Sequence, residues 1–412
     1  MRTFFTQNRN NFLHKMNSGD VALFFSGQAP QSSADSKYEF RTDKNFFYLT
    51  GTTQETSILM MTKLEEKLEC VLFIEEPVYD IEKWVGRKLT KAQATEISGI
   101  ENIQYLPAFE STLNRMIYTT KFENIYLDLA RMAFEGERTA AMLFTDKIKK
   151  NYPEIRVKNS HKFMCELRMI KSEFEIGEIR KAIELTKNGL EALMLNLKPN
   201  DYEYVPKAEF AYSIMKNGAD GNAFSTIAAA GENAVILHYV ESNQIMKDGD
   251  LILMDLGAQY KEYASDISRT YPINGKYSDR QKDIYNIVLK AHSEVIKMMK
   301  PGVHFSALNQ KCSEVLAEEL IRIKLIEKSS DLSQYYYHGV SHFMGLDVHD
   351  IGFRDAVLEP GMIFTVEPGL YIAEEKIGIR IEDDILITET GHENLSKDII
   401  RTVEDIEAFM KK

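Results

Sequence analysis

Cysteine is scarce in this chain: three residues in 412, at positions 70, 165 and 312. An odd number set so far apart argues against a disulfide framework. The three read instead as buried apolar residues of a protein kept in a reducing cytoplasm. Long apolar runs are also missing. "VALFF" at 21–25 and "CVLF" at 70–73 fall far short of the roughly 20 residues a membrane helix needs. The opening "MRTFFTQNRNNFL" has neither the apolar core nor the small-residue cleavage site of a secretory leader. Nor is there a basic stripe. Fifty Lys and Arg against 62 Asp and Glu leave a formal charge of −12, which argues against nucleic acid as a main partner. Low-complexity tracts and fixed-period repeats are absent as well.

What remains is ordinary globular material, 44% apolar and 27% charged, long enough to favour two domains. Stretches 20–27, 57–61, 69–77 and 124–130 read as strands bounded by turn residues, and 90–98 and 137–150 as helices. That mixture predicts an α/β domain. "NYPEIRVKNS" at 151–160 breaks the pattern, which suggests domains over 1–155 and 160–412. Ser172 with Glu175 forms a capping-box signature for a helix running to about 195, and 202–216 makes a second helix. From 226 onward short strands alternate with turns, interrupted by helices near 279–300 and 305–324. This texture fits an α+β domain holding a curved antiparallel sheet.

The chain has nine histidines, and His338, His342 and His349 fall within one twelve-residue stretch. A core holds one neutral histidine cheaply, whereas three together suggest metal ligands or proton carriers. Upstream, the apolar run 251–256 carries Asp255. A hairpin folded about the 260/261 bond would set Asp255 directly opposite Asp266, with Cβ atoms about 4.5–5.5 Å apart. Two carboxylates that close repel, so a cation must neutralise them or one must take up a proton. From this pair alone a plainer arrangement stays open, with one acid bonded to backbone and the other at the solvent edge. Glu367 ends an apolar strand that Pro368–Gly369 terminates. Arg380 and Glu382 share one face of an alternating stretch, with Ile379 and Ile381 on the other. Singly, each glutamate could be a strand-end acid. Together, four carboxylates and one imidazole suit a pair of divalent ions better than one structural zinc.

These residues lie in "GENAVILHY" (231–239), "MDLGAQYKEYASDISRTYPINGKYS" (254–278), "YYHGVSHFMGLDVHD" (336–350), "GMIFTVEPGLYI" (361–372) and "IGIRIEDDILIT" (377–388). The set resembles the Xaa-Pro aminopeptidases (aminopeptidase P), metallopeptidases of the pita-bread fold. The likeness runs from about 160 to the C-terminus and reaches the first domain at 32–51 and 81–89. The resemblance implies an α/β N-terminal domain of aminopeptidase P type before an α+β, creatinase/aminopeptidase-like pita-bread catalytic domain. It makes Asp255 a ligand to one metal, Asp266 and Glu382 bridges, and His342 and Glu367 ligands to the other. Two divalent ions are implied. Manganese is favoured, and iron, cobalt or zinc are also compatible with such ligands.

By the same resemblance His238 and His349 contact the substrate and the tetrahedral intermediate, and His338 lines the pocket. Arg380 sits beside the ligands, where its parity with Glu382 suggests that it fixes a bridging carboxylate. Asp35 and Trp84 help to close the cleft, from a neighbouring subunit of a homodimer or homotetramer, although the chain's sole tryptophan could equally be core. His14, His161, His292, His304 and His392 read as surface or structural.

The implied reaction removes the N-terminal residue of a peptide with proline second, by a hydroxide held between the metals. Glu367 is its proton shuttle, and His238 or His349 steadies the oxyanion. Prolidase, acting on Xaa-Pro dipeptides, shares the ligands. Methionine aminopeptidase shares the catalytic domain but typically lacks such an N-terminal one. A metal-free peptide-binding protein on this scaffold would have shed ligands that are all kept here.

Overall fold

A computed structural model of the chain describes residues 2–411 apart from positions 66, 121 and 132. The chain divides after Leu167 into two compact units, each described by itself below.

The first unit is built on a mixed six-stranded sheet. Its central strand, Asp20–Phe25, pairs antiparallel with Ile58–Leu64 and parallel with Asn124–Leu127. The near-unbroken apolar run of that strand suits its place, because a strand covered on both faces has no polar side to show. Lys67–Ile74 and Asn102–Tyr105 extend one edge. The other edge is Arg156–Asn159, parallel to Asn124–Leu127. The stretch 151–160, taken from sequence as the break, therefore contributes a strand to this sheet, and the division falls later, at the end of helix His161–Arg168. Val21, Leu23, Phe73 and Ile125 pack with Phe109, Leu113, Phe144 and Ile148 of helices Phe109–Thr119 and Ala140–Asn151. The α/β expectation holds.

The second unit is α+β, with every strand pair antiparallel among the described residues. Helix Glu173–Asn196 begins at the expected capping box, in which Ser172 accepts from Glu175 N and Glu175 returns a bond to the cap. Helices Tyr204–Lys216, Asp279–Met298 and Phe305–Arg322 lie close to the sequence expectation. Strand Leu251–Leu256 lies between Ile227–Ala230 and Ile267–Pro272.

The central hairpin corrects one expectation. Its turn falls at Lys261–Glu262, both at positive φ (46° and 72°), and Tyr260 pairs with Tyr263. That is the two-residue loop whose twist matches paired strands. The turn thus comes one residue later than expected, and Asp255 opposes Ser268 rather than Asp266. Asp266 becomes the diagonal neighbour on the same face, so the side of the sheet survives the shift.

The alternating stretch 361–388 breaks into four strands. Ile363–Val366 pairs with Asp383–Ile387, and Gly369–Ile372 pairs with Ile377–Arg380. Glu367 and Glu382 occupy the links between these pairs. None of the three cysteines is in a disulfide; Cys165 and Cys312 are buried and Cys70 is half-buried. Among the described residues no helix is long and apolar enough to cross a membrane.

Candidate metal and peptide site

A cavity of about 270 Å³ in the second unit is lined by Asp255, Asp266, Glu367, Glu382 and His342, with His238, His338, His349 and Arg380. Every second-unit residue singled out from the sequence as a ligand or substrate contact is in it. Asp35 and Trp84 belong to the first unit, in the 33–36 turn and on helix Tyr79–Val85. Trp84 is 89% exposed, which removes the reading of it as core.

Local structure explains the convergence. Asp255 projects from a strand with buried apolar neighbours on both sides. Gly257 follows it, and a Cβ there would come within 1.8 Å of the Ser265 carbonyl. Only glycine lets the chain before Asp266 approach so closely. Glu382 N donates to Ser268 O at 3.0 Å, and Glu367 N donates to Val340 O at 2.8 Å, so both linking segments are held to neighbouring backbone.

One oxygen each from Asp266 and Glu382 and one nitrogen of His342 lie within 4.8 Å of one another. His342 Nε2 is 3.4 Å from Asp266 Oδ2 and 3.7 Å from Glu367 Oε1. Its Nδ1 is 3.0 Å from Phe343 O, and a carbonyl only accepts, so the proton sits on Nδ1. With the proton on Nδ1, the Nε2 lone pair points at two carboxylates. That arrangement is repulsive without a cation between them and is the usual way a metal-binding histidine is oriented.

The acids agree. Burial, with Glu382, Asp255 and Asp384 nearby, holds the Asp266 carboxyl well above its ordinary range. Burial and Glu382 do the same to Glu367, and burial and Asp255 push Glu382 up to about 7. Asp255 Oδ1 is buried with no hydrogen-bond partner among the described residues. An orphaned carboxylate oxygen beside acids that resist ionisation fits divalent cations.

Arg380 differs from expectation in detail. Its NH2 group donates directly to Asp255 Oδ2 at 2.7 Å, and it reaches Glu382 only through Ser268. Nε donates to Ser268 Oγ at 2.8 Å, and that hydroxyl donates to Glu382 Oε2 at 2.7 Å. Tyr371 Oη accepts from Arg380 NH1 at 2.9 Å and lies 2.8 Å from His338 Nε2. His338 Nδ1 is 2.8 Å from Gly339 O. Burial pushes His338 down to about 4, so it is neutral, and both ring nitrogens are engaged. It therefore offers the cavity a ring face rather than a free donor. His349 packs edge-on against His342, ring centroids 4.3 Å apart, and burial and His342 lower its pKa.

The sequence reading passed over Ser268, Tyr371 and Asp384. Ser268 could have been found once the turn was set at 261/262, since it then opposes Asp255. Tyr371 and Asp384 carried no such signal. Asp384 accepts from Asp266 N at 3.2 Å across strands distant in sequence. Of the other histidines, His304 caps helix Phe305–Arg322, and buried His292 lies 3.5 Å from Asp383.

Residues 177–389, just over half the chain, match metallopeptidase family M24, and residues 5–126 match the aminopeptidase P N-terminal domain. The Xaa-Pro aminopeptidase of Escherichia coli (strain K12) is 34% identical over 436 residues, spanning 99% of this chain and 98% of its own. Among solved structures, a Bacillus anthracis chain assigned as aminopeptidase P superposes with a TM-score of 0.98 at 45% identity, covering 100% of this chain and 98% of its own. Escherichia coli aminopeptidase P with the inhibitor Pro-Leu gives 0.91 at 32% identity, with the same coverage.

Proposed function

The chain belongs to metallopeptidase family M24 and carries the aminopeptidase P N-terminal domain, and from that premise we propose that it releases the N-terminal residue of peptides whose second residue is proline. It is a metallo-exopeptidase. The observation that carries the reading is one cavity uniting four carboxylates, His342 and three further histidines, in a chain similar over its full length to Xaa-Pro aminopeptidases.

We assign Asp255, Asp266, His342, Glu367 and Glu382 to two divalent ions, with manganese favoured. Bound there, the ions would supply an activated water and polarise the scissile carbonyl. Elemental analysis of purified protein would sink the dinuclear assignment if it found one ion or none.

The chain's own groups do the rest. Glu367, whose carboxyl is held well up by burial and Glu382, takes a proton from the attacking water and hands it to the departing prolyl nitrogen. His349 and His238 offer N–H groups to the developing oxyanion, each worth roughly 3 kcal/mol. The prolyl bond has no N–H, so the wall beside it needs no acceptor, and the occupied ring of His338 suits the pyrrolidine face.

The test compares Xaa-Pro, Xaa-Pro-Xaa, Xaa-Ala-Xaa and an N-blocked Xaa-Pro-Xaa with manganese present. Cleavage confined to unblocked Xaa-Pro-Xaa is expected. Preference for the dipeptide would indicate prolidase, and equal cleavage of the alanine peptide would remove proline specificity.

Trp84 and Asp35 we assign to closing the cleft of a neighbouring copy in a homodimer or homotetramer; the exposure of Trp84 is what supports this. Trp84→Ala should raise KM for longer peptides, and a monomer in sedimentation would overturn the assignment. The three widely spaced cysteines support a cytoplasmic location, testable by cell fractionation.

A further inference from the structure

Glu203 stands at the start of helix Tyr204–Lys216, outside every motif discussed above, and is 0% exposed. Its carboxylate accepts four hydrogen bonds. Oε1 takes Ala230 N at 2.7 Å and Asn233 Nδ2 at 2.9 Å, and Oε2 takes Tyr239 Oη at 2.8 Å and Gln244 N at 3.0 Å. Its own amide donates to Gln244 O at 3.0 Å. All four donors come from one segment, 230–244, and His238 lies inside it.

Beyond the short helical turn Gly231–Val235, that segment has neither helix nor ladder until an isolated bridge between Tyr202 and Ile245. Backbone with no ladder needs other partners, and the buried carboxylate supplies one to Gln244 N while holding the side chains of Asn233 and Tyr239. Bonds to a charged acceptor are roughly twice as strong as neutral ones. Tyr239, the residue after His238, is doubly held. Its hydroxyl is on Glu203, and its ring packs with Ile227, Ala229, Leu253 and Tyr371. Tyr371 is the phenol that bonds Arg380 and His338. His238 itself is exposed, so its direction toward the cavity depends on its anchored neighbour.

We infer that Glu203 is a positioning residue for catalysis, holding Tyr239 so that His238 is aimed at the substrate; this rests on His238 serving the site as proposed above. A purely structural staple would affect stability and would weaken activity regardless of what stands at 238.

The measurement is a double-mutant cycle on the manganese-loaded, full-length protein with an Xaa-Pro-Xaa peptide. Tyr239→Phe removes one donor of four and should lower kcat about tenfold, the size expected for one bond to a charged group, with metal content retained and KM little changed. His238→Ala should lower kcat by roughly 100-fold. Adding Tyr239→Phe to His238→Ala should change kcat by less than about twofold, because coupled residues are not additive. Glu203→Gln, where it folds, should show the same dependence on His238; where it does not, Tyr239→Phe decides. Equal losses from Tyr239→Phe in both backgrounds, or wild-type kcat for Tyr239→Phe, would overturn the inference while leaving His238 in its role. Full activity in His238→Ala would overturn that role and the inference with it.

Discussion

Asp266 shows how much one side chain is asked to do. It is 4% exposed, close to Glu382, Asp255 and Asp384, and its carboxyl resists ionisation by burial first and by those neighbours next. A cation would relieve all of that at once, and a neutral amide could not fill the bridging role proposed for it. Asp266→Asn should therefore lower metal content and reduce kcat/KM by more than the roughly 10- to 100-fold typical of groups that only support a ligand. Ser268→Ala, which removes only the hydroxyl between Arg380 and Glu382, should fall inside that range. Two tightly held ions and normal rate in Asp266→Asn would end its assignment as a bridge.

At the scale of the element, the hairpin and the histidine loop are both shaped by close contacts. Gly257→Ala would drive a methyl into the Ser265 carbonyl, backbone that has no rotamer to give. A loss of about 3 kcal/mol of stability, at the upper end for overpacking, is expected, together with weaker metal binding, because the displaced segment carries Asp266. Unchanged melting and metal content would mean that the hairpin tolerates the shift. The loop 341–350 is fastened differently. Arg168 pairs with Asp347 at 2.7 Å and also with Asp350, and Lys171 reaches Asp350 at 3.0 Å. Burial alone would raise the Asp350 carboxyl, but Arg168 and Lys171 outweigh it and keep it below its ordinary value. The residue beside His349 is thus fixed by charge from Arg168 and Lys171 of the same unit.

For the whole molecule the same acids set a pH dependence. Glu382 is raised from 4.5 to about 7, so in metal-free protein the native state holds more protons than the unfolded chain between those values. Metal-free stability therefore falls as pH rises through that window. Ions must displace those protons, and their apparent affinity should rise about tenfold per pH unit for each proton released. Calorimetry of chelated protein with and without manganese should show little stabilisation at pH 5 and much more near pH 7.5. A metal-induced shift independent of pH would show that these carboxyls are not displaced by the ion.

The residues that line the cavity were legible from the sequence because their motifs are local. Acids within apolar runs and histidines crowded in one stretch disclose their chemistry through their neighbours. The helix after Ser172 was legible for the same reason, since its capping box acts within one turn. The hairpin register was not, because shifting a turn by one residue leaves every local propensity unchanged; the positive φ of Lys261 and Glu262 decides it. Strand Arg156–Asn159 was hidden too, because its partner Asn124–Leu127 lies some thirty residues away. The Tyr371 link between Arg380 and His338, and Glu203 beneath the His238 segment, join residues whose separation in sequence carries no pattern. Sequence by itself determined which chemistry the chain holds. Only the tertiary structure decided which polar side chains aim it, because such bonds depend on distance in space and leave no periodicity along the chain.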